Sequence, residues 1–179
     1  MAEYAAFLRA INVGGHKPVP MHALKKALES LKFTNVKTLL ASGNVVFEAS
    51  RGAPAALEKT ISEKLKKSFG FEIPVLVRTK EELQKLSDAD PFKGIRVPPQ
   101  ARIFVTFLQD KPGKHSLSST ETRESGFKIL STRGREVFSI VTAPPGSGTT
   151  DLMKVLEKKY GKQITTRSWQ TVLRMLDNR

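Results

Sequence analysis

The chain is 179 residues long and carries 30 Lys and Arg against 17 Asp and Glu, a formal charge of +13, with no cysteine and 39% hydrophobic residues. A chain of this length closes one core of ~150 residues or two smaller units and buries roughly two-thirds of its unfolded surface, which excludes general disorder. The lack of cysteine excludes a disulfide framework, a thiolate nucleophile and a cysteine zinc site.

No apolar run approaches the ~20 residues of a membrane span, so no membrane partner is expected. Glu3 and Arg9 interrupt the apolar start, and no small-residue cleavage site follows, so residues 1–10 do not read as a secretion signal. A cytoplasmic protein is expected. Residues 1–90 hold 14 Lys and Arg against 10 Asp and Glu, and residues 91–179 hold 16 against 7, so the second half carries most of the excess. Such a field speeds encounters with nucleic acid or acidic partners without conferring specificity.

Tyr4 to Ala10 is a short apolar segment that ends at the turn signal Asn12-Val13-Gly14-Gly15, which predicts a buried strand entering a loop. Pro20 then stands at a helix start, and Met21, Leu24, Leu28 and Leu31 recur at helical spacing. Val36 to Leu40 and Val45 to Glu48 flank Ser42-Gly43-Asn44 and predict a hairpin. A second helix follows Pro54, with Leu57, Ile61 and Leu65 on one face and Gly70 at its end. Glu72 to Arg78 closes the unit as a strand, and Pro74 marks an edge.

The order strand, helix, strand, strand, helix, strand is the βαββαβ pattern of ferredoxin-like folds. It occurs again. Arg102 to Leu108, Phe127 to Leu130 and Glu136 to Val141 read as strands, and Leu152, Leu156 and Tyr160 mark a helix ending at Gly161. Aligning the hairpins places Gly43 on Gly134 and Phe47 on Phe138. The weak member is Lys114 to Glu124, Ser/Thr-rich where the pattern requires a helix. Thr79 to Glu82 forms a capping box ahead of a short helix, Asp90-Pro91 and Pro98-Pro99 mark a linker, and Ser168 caps a last helix bearing Trp169, Val172, Leu173 and Leu176. The predicted fold is α+β: a duplicated ferredoxin-like chain with a C-terminal helix, divided into residues 1–79, a helical linker 80–100 and residues 101–179.

Chemistry is sparse. In the loop Asn12 to Lys17, Gly14 and Gly15 let backbone amides approach an anion ahead of a helix, with His16 and Lys17 to assist. The stretch Ala143 to Thr150 resembles a phosphate-binding loop, but Ala143 replaces its first glycine and Thr149 its lysine, so it reads as a flexible connection. His16, His22 and His115 lack metal-ligand spacing, so no metal and no cofactor is expected. Ser42 reads as a turn residue before it reads as a nucleophile. The aromatic consensus of an RNA recognition motif is absent. Arg133 and Arg135 still flank a hairpin glycine as candidate phosphate contacts, and Phe47 and Phe138 read as core.

The opening YAAFLRAINVGGHKPVPM, the hairpin LLASGNVVFEA and the closing TTRSWQTVL together resemble the uncharacterised bacterial family called domain of unknown function 1697. The resemblance runs essentially the full length. It implies a duplicated ferredoxin-like arrangement and no established activity or ligand. The family's closing motif usually has asparagine on both sides of the tryptophan, where Ser168 and Gln170 flank Trp169 here. Carried across residue by residue, its motifs mark Arg9, Asn12, Gly14, Gly15, Ser42, Gly43, Asn44, Arg167 and Trp169 as positions of interest. The leading expectation is a noncatalytic binder of an anionic partner, either nucleic acid or a phosphorylated small molecule. The alternatives are an enzyme that holds a small anionic substrate with Arg9, Asn12 and Arg167, and a module that pairs through a sheet edge. Oligomeric state is not legible.

Overall fold

The structure is a computed structural model that describes residues 1–113, 121–122, 126–144 and 148–177. The chain divides into two compact units, one of Met1–Asp88 with Arg174–Arg179, the other of Ala89–Leu173. The first contains β1 (Ala2–Leu8), α1 (Met21–Glu29), β2 (Thr34–Leu39), β3 (Asn44–Ala49), α2 (Pro54–Phe69), β4 (Val75–Thr79) and α3 (Lys80–Asp88). Its antiparallel sheet has the order β2-β3-β1-β4, the ferredoxin-like arrangement, with β4 and its leading Pro74 at an edge.

Alternation along each strand sends one set of side chains toward α1 and α2. Tyr4, Ala6 and Leu8 of β1, Val45 and Phe47 of β3, and Val75 and Val77 of β4 form one core with Leu24, Leu28, Ile61 and Leu65 of the helices. Phe33 stacks on Phe47 at 4.6 Å between ring centroids, and Phe47 on Tyr4 at 5.7 Å. The Tyr4 hydroxyl donates to the Gly52 carbonyl. The opposite face is buried too, at Ala5, Phe7, Leu76 and Arg78, and α3 places its buried Leu83 on that side of β1 and β4. Pro20 stands just outside α1 with φ −62°, and Gly70 ends α2 with φ 81° while its N–H reaches the Lys66 carbonyl.

The second unit contains β5 (Arg102–Leu108), β6 (Glu121–Thr122), β7 (Phe127–Arg133), β8 (Glu136–Val141), α4 (Gly148–Tyr160), β9 (Ile164–Ser168) and the first residues of α5 (Trp169–Leu176). Its order is β6-β7-β8-β5-β9, the same topology with β6 added at one edge. Of the stretch 114–124, where the repeat requires a helix, Glu121 and Thr122 instead pair with β7 as the strand β6, and the other residues, His115 among them, lie outside the described residues. Phe104, Leu108, Ile129, Val137 and Val141 face Leu152 and Leu156 of α4. On the other face Phe138 meets Phe92 and Trp169 edge-on, at 5.6 and 6.1 Å between centroids.

The register corrects the alignment of the hairpins. The Leu8 N–H donates to the Gly43 carbonyl, and its counterpart Leu108 to the Arg135 carbonyl, both at 2.8 Å. Gly43 therefore matches Arg135, not Gly134, and Phe47 matches Ser139, not Phe138. The cause is turn length. Leu39 pairs with Asn44 across a four-residue turn, whereas Arg133 pairs with Glu136 across Gly134-Arg135 alone. A shift of one residue moves a side chain to the other face. Phe47 and Phe138 are both core, as their sequence context suggests, but on opposite faces.

The units also revise the charge reading. The first holds 16 Lys and Arg against 10 Asp and Glu, and the second 14 against 7, so the compact units carry +6 and +7. The asymmetry between chain halves comes from where the chain is cut.

Candidate functional site

Nine of the sequence candidates lie on two loops at one end of the first sheet. The root of the longer loop is fixed by backbone bonds, from Arg9 N–H to the Pro74 carbonyl (2.9 Å) and from Asn12 N–H to the Lys17 carbonyl (3.2 Å). Its tip is a tight turn in which His16 N–H donates to Val13 at 3.0 Å. Ala10, Asn12 and Lys17 all have positive φ, between 49° and 55°, a concentration of strained backbone in residues other than glycine.

Asn12 is the fastener. Its Oδ1 accepts from the Val19 N–H (2.8 Å), and its Nδ2 donates to the carbonyls of Val19 (3.0 Å) and Ala41 (2.8 Å). One side chain closes its own loop and ties it to the hairpin turn. Gly43 sits where that turn meets the strand end. A Cβ there would lie 2.7 Å from Leu8 Cβ and 2.8 Å from Ile11 Cδ1, at φ 79°. Asn44, fully buried, donates to the Leu39 carbonyl and to Ser42 Oγ, closing the turn from inside.

The cations divide by role. Lys17 Nζ donates to the Glu72 carbonyl at 3.1 Å and lies 5.8 Å from the centre of the Phe71 ring, so it staples the loop to the lead-in of β4. Glu72 pairs with Lys66 at 2.7 Å; that hydrogen bond and the ammonium charge lower the Glu72 pKa and raise that of Lys66. At the tip, Gly14 and Gly15 are exposed, and their N–H groups have no protein partner among the described residues. The His16 ring lies against Gly14, 3.9 Å from where a Cβ would stand.

Arg167, Trp169, Arg133 and Arg135 belong to the second unit. Trp169 packs in the ring cluster with Phe92 and Phe138 and is core. Arg167 donates from Nη1 to Thr165 Oγ1 (2.8 Å) and to the Thr166 carbonyl (2.9 Å), and burial pushes its pKa down to about 10, so it stays cationic at neutral pH. Arg133 is exposed, whereas Arg135 reaches back toward the Gln109 carbonyl at 3.4 Å. Beside Gln109, a concavity of about 270 Å³ is lined in part by Lys111, Tyr160 and Lys162, at the same end of this sheet as the loop of the first.

Sequence reasoning missed Arg78. It pairs with Ala5 as Arg167 pairs with Val105, so the two arginines hold equivalent places near the end of the fourth strand of each repeat. Each is followed by a hydroxyl cap. Thr79 and Glu82 exchange reciprocal bonds, and Ser168 Oγ accepts from the Thr171 N–H. Arg78 is fully buried and donates from Nη1 to the Val77 carbonyl. The signal was present as Arg-Thr and Arg-Ser before two helices, 89 residues apart.

Two ferredoxin-like units, each with a basic loop end, define the class of this protein. The chain belongs to the family described as protein of unknown function (DUF1697), which matches residues 1–138. The closing motif around Trp169 lies beyond that match. A solved structure described as that of conserved bacterial protein SP0830 from Streptococcus pneumoniae has a TM-score of 0.69 and 20% identity, covering 98% of this chain and 97% of that one. At that identity the likeness is one of fold. No curated protein matches the chain. No helix among the described residues is long and apolar enough to cross a membrane.

Proposed function

We propose that this is a cytoplasmic, noncatalytic binder of phosphate-bearing partners, nucleic acid or a phosphorylated small molecule, and that the loop Asn12 to Lys17 is its phosphate contact. The observation that carries the reading is the pair of open amides at Gly14 and Gly15, with the His16 ring beside them, held on a loop that Asn12 and Lys17 anchor elsewhere. Two adjacent amides at positive φ offer directed donors at little reorganisation cost, and an oxyanion is the ligand that consumes them. The charge of +13 supplies the steering. Arg133 and Arg135, with Lys111 and Lys162, give a polyanion further contacts on the second unit.

The test is fluorescence anisotropy of labelled single- and double-stranded oligonucleotides across a salt series, with a parallel thermal-shift series in inorganic phosphate and pyrophosphate. Binding is expected to weaken linearly in log salt, each lost phosphate contact lowering the slope by about 0.9. Arg133→Glu with Arg135→Glu is expected to lower that slope. His16→Gln, which removes the ring beside the two amides, is expected to reduce the phosphate shift. Absence of oligonucleotide binding near physiological salt together with absence of any phosphate or pyrophosphate shift overturns the reading.

A further inference from the structure

A second site stands on the first unit, away from the glycine loop, and its chemistry is different. Beside the edge strand β2 lies a concavity of about 300 Å³, near the lower bound of small-molecule pockets. Ala5, Val46, Leu83 and Met175 supply its apolar lining. Four charged groups border it. Glu3 and Glu48 are register partners on β1 and β3, so two carboxylates stand directly opposite each other, a pairing that destabilises a sheet when nothing answers it.

The two carboxylates are answered unequally. Glu3 is neutralised by Lys80, whose Nζ lies 2.7 and 2.9 Å from its two oxygens. Glu48 receives only a neutral donor, Asn35 Nδ2 at 2.8 Å on Oε1, and Oε2 has no partner among the described residues. Asn35 makes that bond from a left-handed conformation, φ 51°, at the register shift between Thr34 and Lys37. Lys37, which also lines the concavity, makes no ion pair among the described residues. Lys37 pairs with Val46, two residues from Glu48, so the open cation and the open anion are diagonal neighbours about 7–8 Å apart at the backbone.

We propose that this concavity binds a free α-amino acid with an apolar side chain. The ligand's ammonium meets Glu48 Oε2, its carboxylate meets Lys37, and its side chain lies on Val46, Leu83 and Met175. An ammonium and a carboxylate on one carbon, each in a charge-assisted bond of about 2.8 Å, suit a cation and an anion carried on long side chains at diagonal positions of two paired strands. The bordering charges balance, two against two, so a phosphate gains nothing here that a zwitterion does not. Among the described residues no group of three metal-ligating side chains forms, which leaves an ammonium as the cation suited to Glu48.

The test is calorimetric titration of the full-length protein with L-leucine, L-methionine and L-phenylalanine, beside N-acetyl-L-leucine and L-leucinamide. At least one free amino acid is expected to saturate the protein with a 1:1 stoichiometry. Acetylation or amidation is expected to weaken it about tenfold or more, the worth of one charge-assisted bond. Glu48→Gln is expected to cost a similar factor and to remove the penalty of acetylation, and Lys37→Met to remove that of amidation. Circular dichroism of both variants controls for folding. Failure of every free amino acid to saturate at about 10 mM, unchanged affinity in Glu48→Gln, or displacement of the amino acid by inorganic phosphate each overturns the proposal.

Discussion

Each unit gathers three rings into one cluster, and the two clusters lie on opposite faces of equivalent sheets. In the first, Phe33, Phe47 and Tyr4 stack beneath α1 and α2; in the second, Phe92, Phe138 and Trp169 meet on the face away from α4. The position matching Phe47 is Ser139, whose buried hydroxyl has no partner among the described residues. The difference arises in the hairpin turn, which is two residues shorter in the second unit and so carries its glycine at another register. A repeat can keep its strand order while exchanging which face holds its large side chains. Topology is set by pairing, and the faces by a single step of register.

Six substitutions follow, the first four of which probe that comparison directly. The largest effects are expected from Phe47→Ala and Phe138→Ala, each costing about 3–5 kcal/mol in denaturant unfolding. They separate in the native spectrum. Trp169 is the only tryptophan and touches Phe138, so its emission shifts in Phe138→Ala and stays put in Phe47→Ala. The reverse pattern would undo the assignment of faces.

The turn glycines come next. Gly43→Ala forces a Cβ against Leu8 and Ile11 at positive φ and is expected to cost about 3 kcal/mol. Gly134→Ala meets only Glu136 Oε2 at 3.4 Å and is expected to cost about 1 kcal/mol, the left-handed backbone term alone. Equal melting temperatures for the two variants would return Gly134 to the place of Gly43. Asn12→Ala removes three hydrogen bonds of the longer loop and strands the Val19 N–H, at about 2 kcal/mol. Hydrogen exchange is expected to speed up in residues 12–19 and 40–44 first.

The smallest effect is electrostatic. Lys66 lowers the Glu72 pKa, so the pair favours the fold above the unfolded value of 4.5 and loses that contribution as pH falls through the folded value. In Lys66→Gln the Glu72 carboxylate is expected to titrate closer to 4.5, read by NMR. An unmoved titration would show that the pair at 2.7 Å is not kept in solution.

Much of the architecture was legible because its signals are local. Pro20 and Gly70 punctuate helices, Thr79 and Glu82 form their capping box as the spacing predicts, and Pro74 precedes an edge strand. The strand β9 was not legible. Ile-Thr-Thr-Arg-Ser shows no apolar alternation, because its second and fourth residues, Thr165 and Arg167, share a buried face with Phe107 and Val105. The candidate loop was legible in its glycines and not in its asparagine. Asn12 read as a binding group, and it spends its amide on Val19 and Ala41. Nothing in the sequence marked Glu3 with Glu48, which lie 45 residues apart and meet only across two paired strands.

By itself, then, the chain determined the kinds and order of its elements, their caps, and its family. These depend on periodicity, backbone preference and side chains a few residues apart, where sequence distance and spatial distance coincide. The tertiary structure alone decided the register of the second hairpin, the equivalence of Arg78 with Arg167 and the meeting of Glu3 with Glu48. Each rests on a pairing between strands, and pairing is chosen by how two distant segments bury their faces together, a quantity neither segment carries in its own residues.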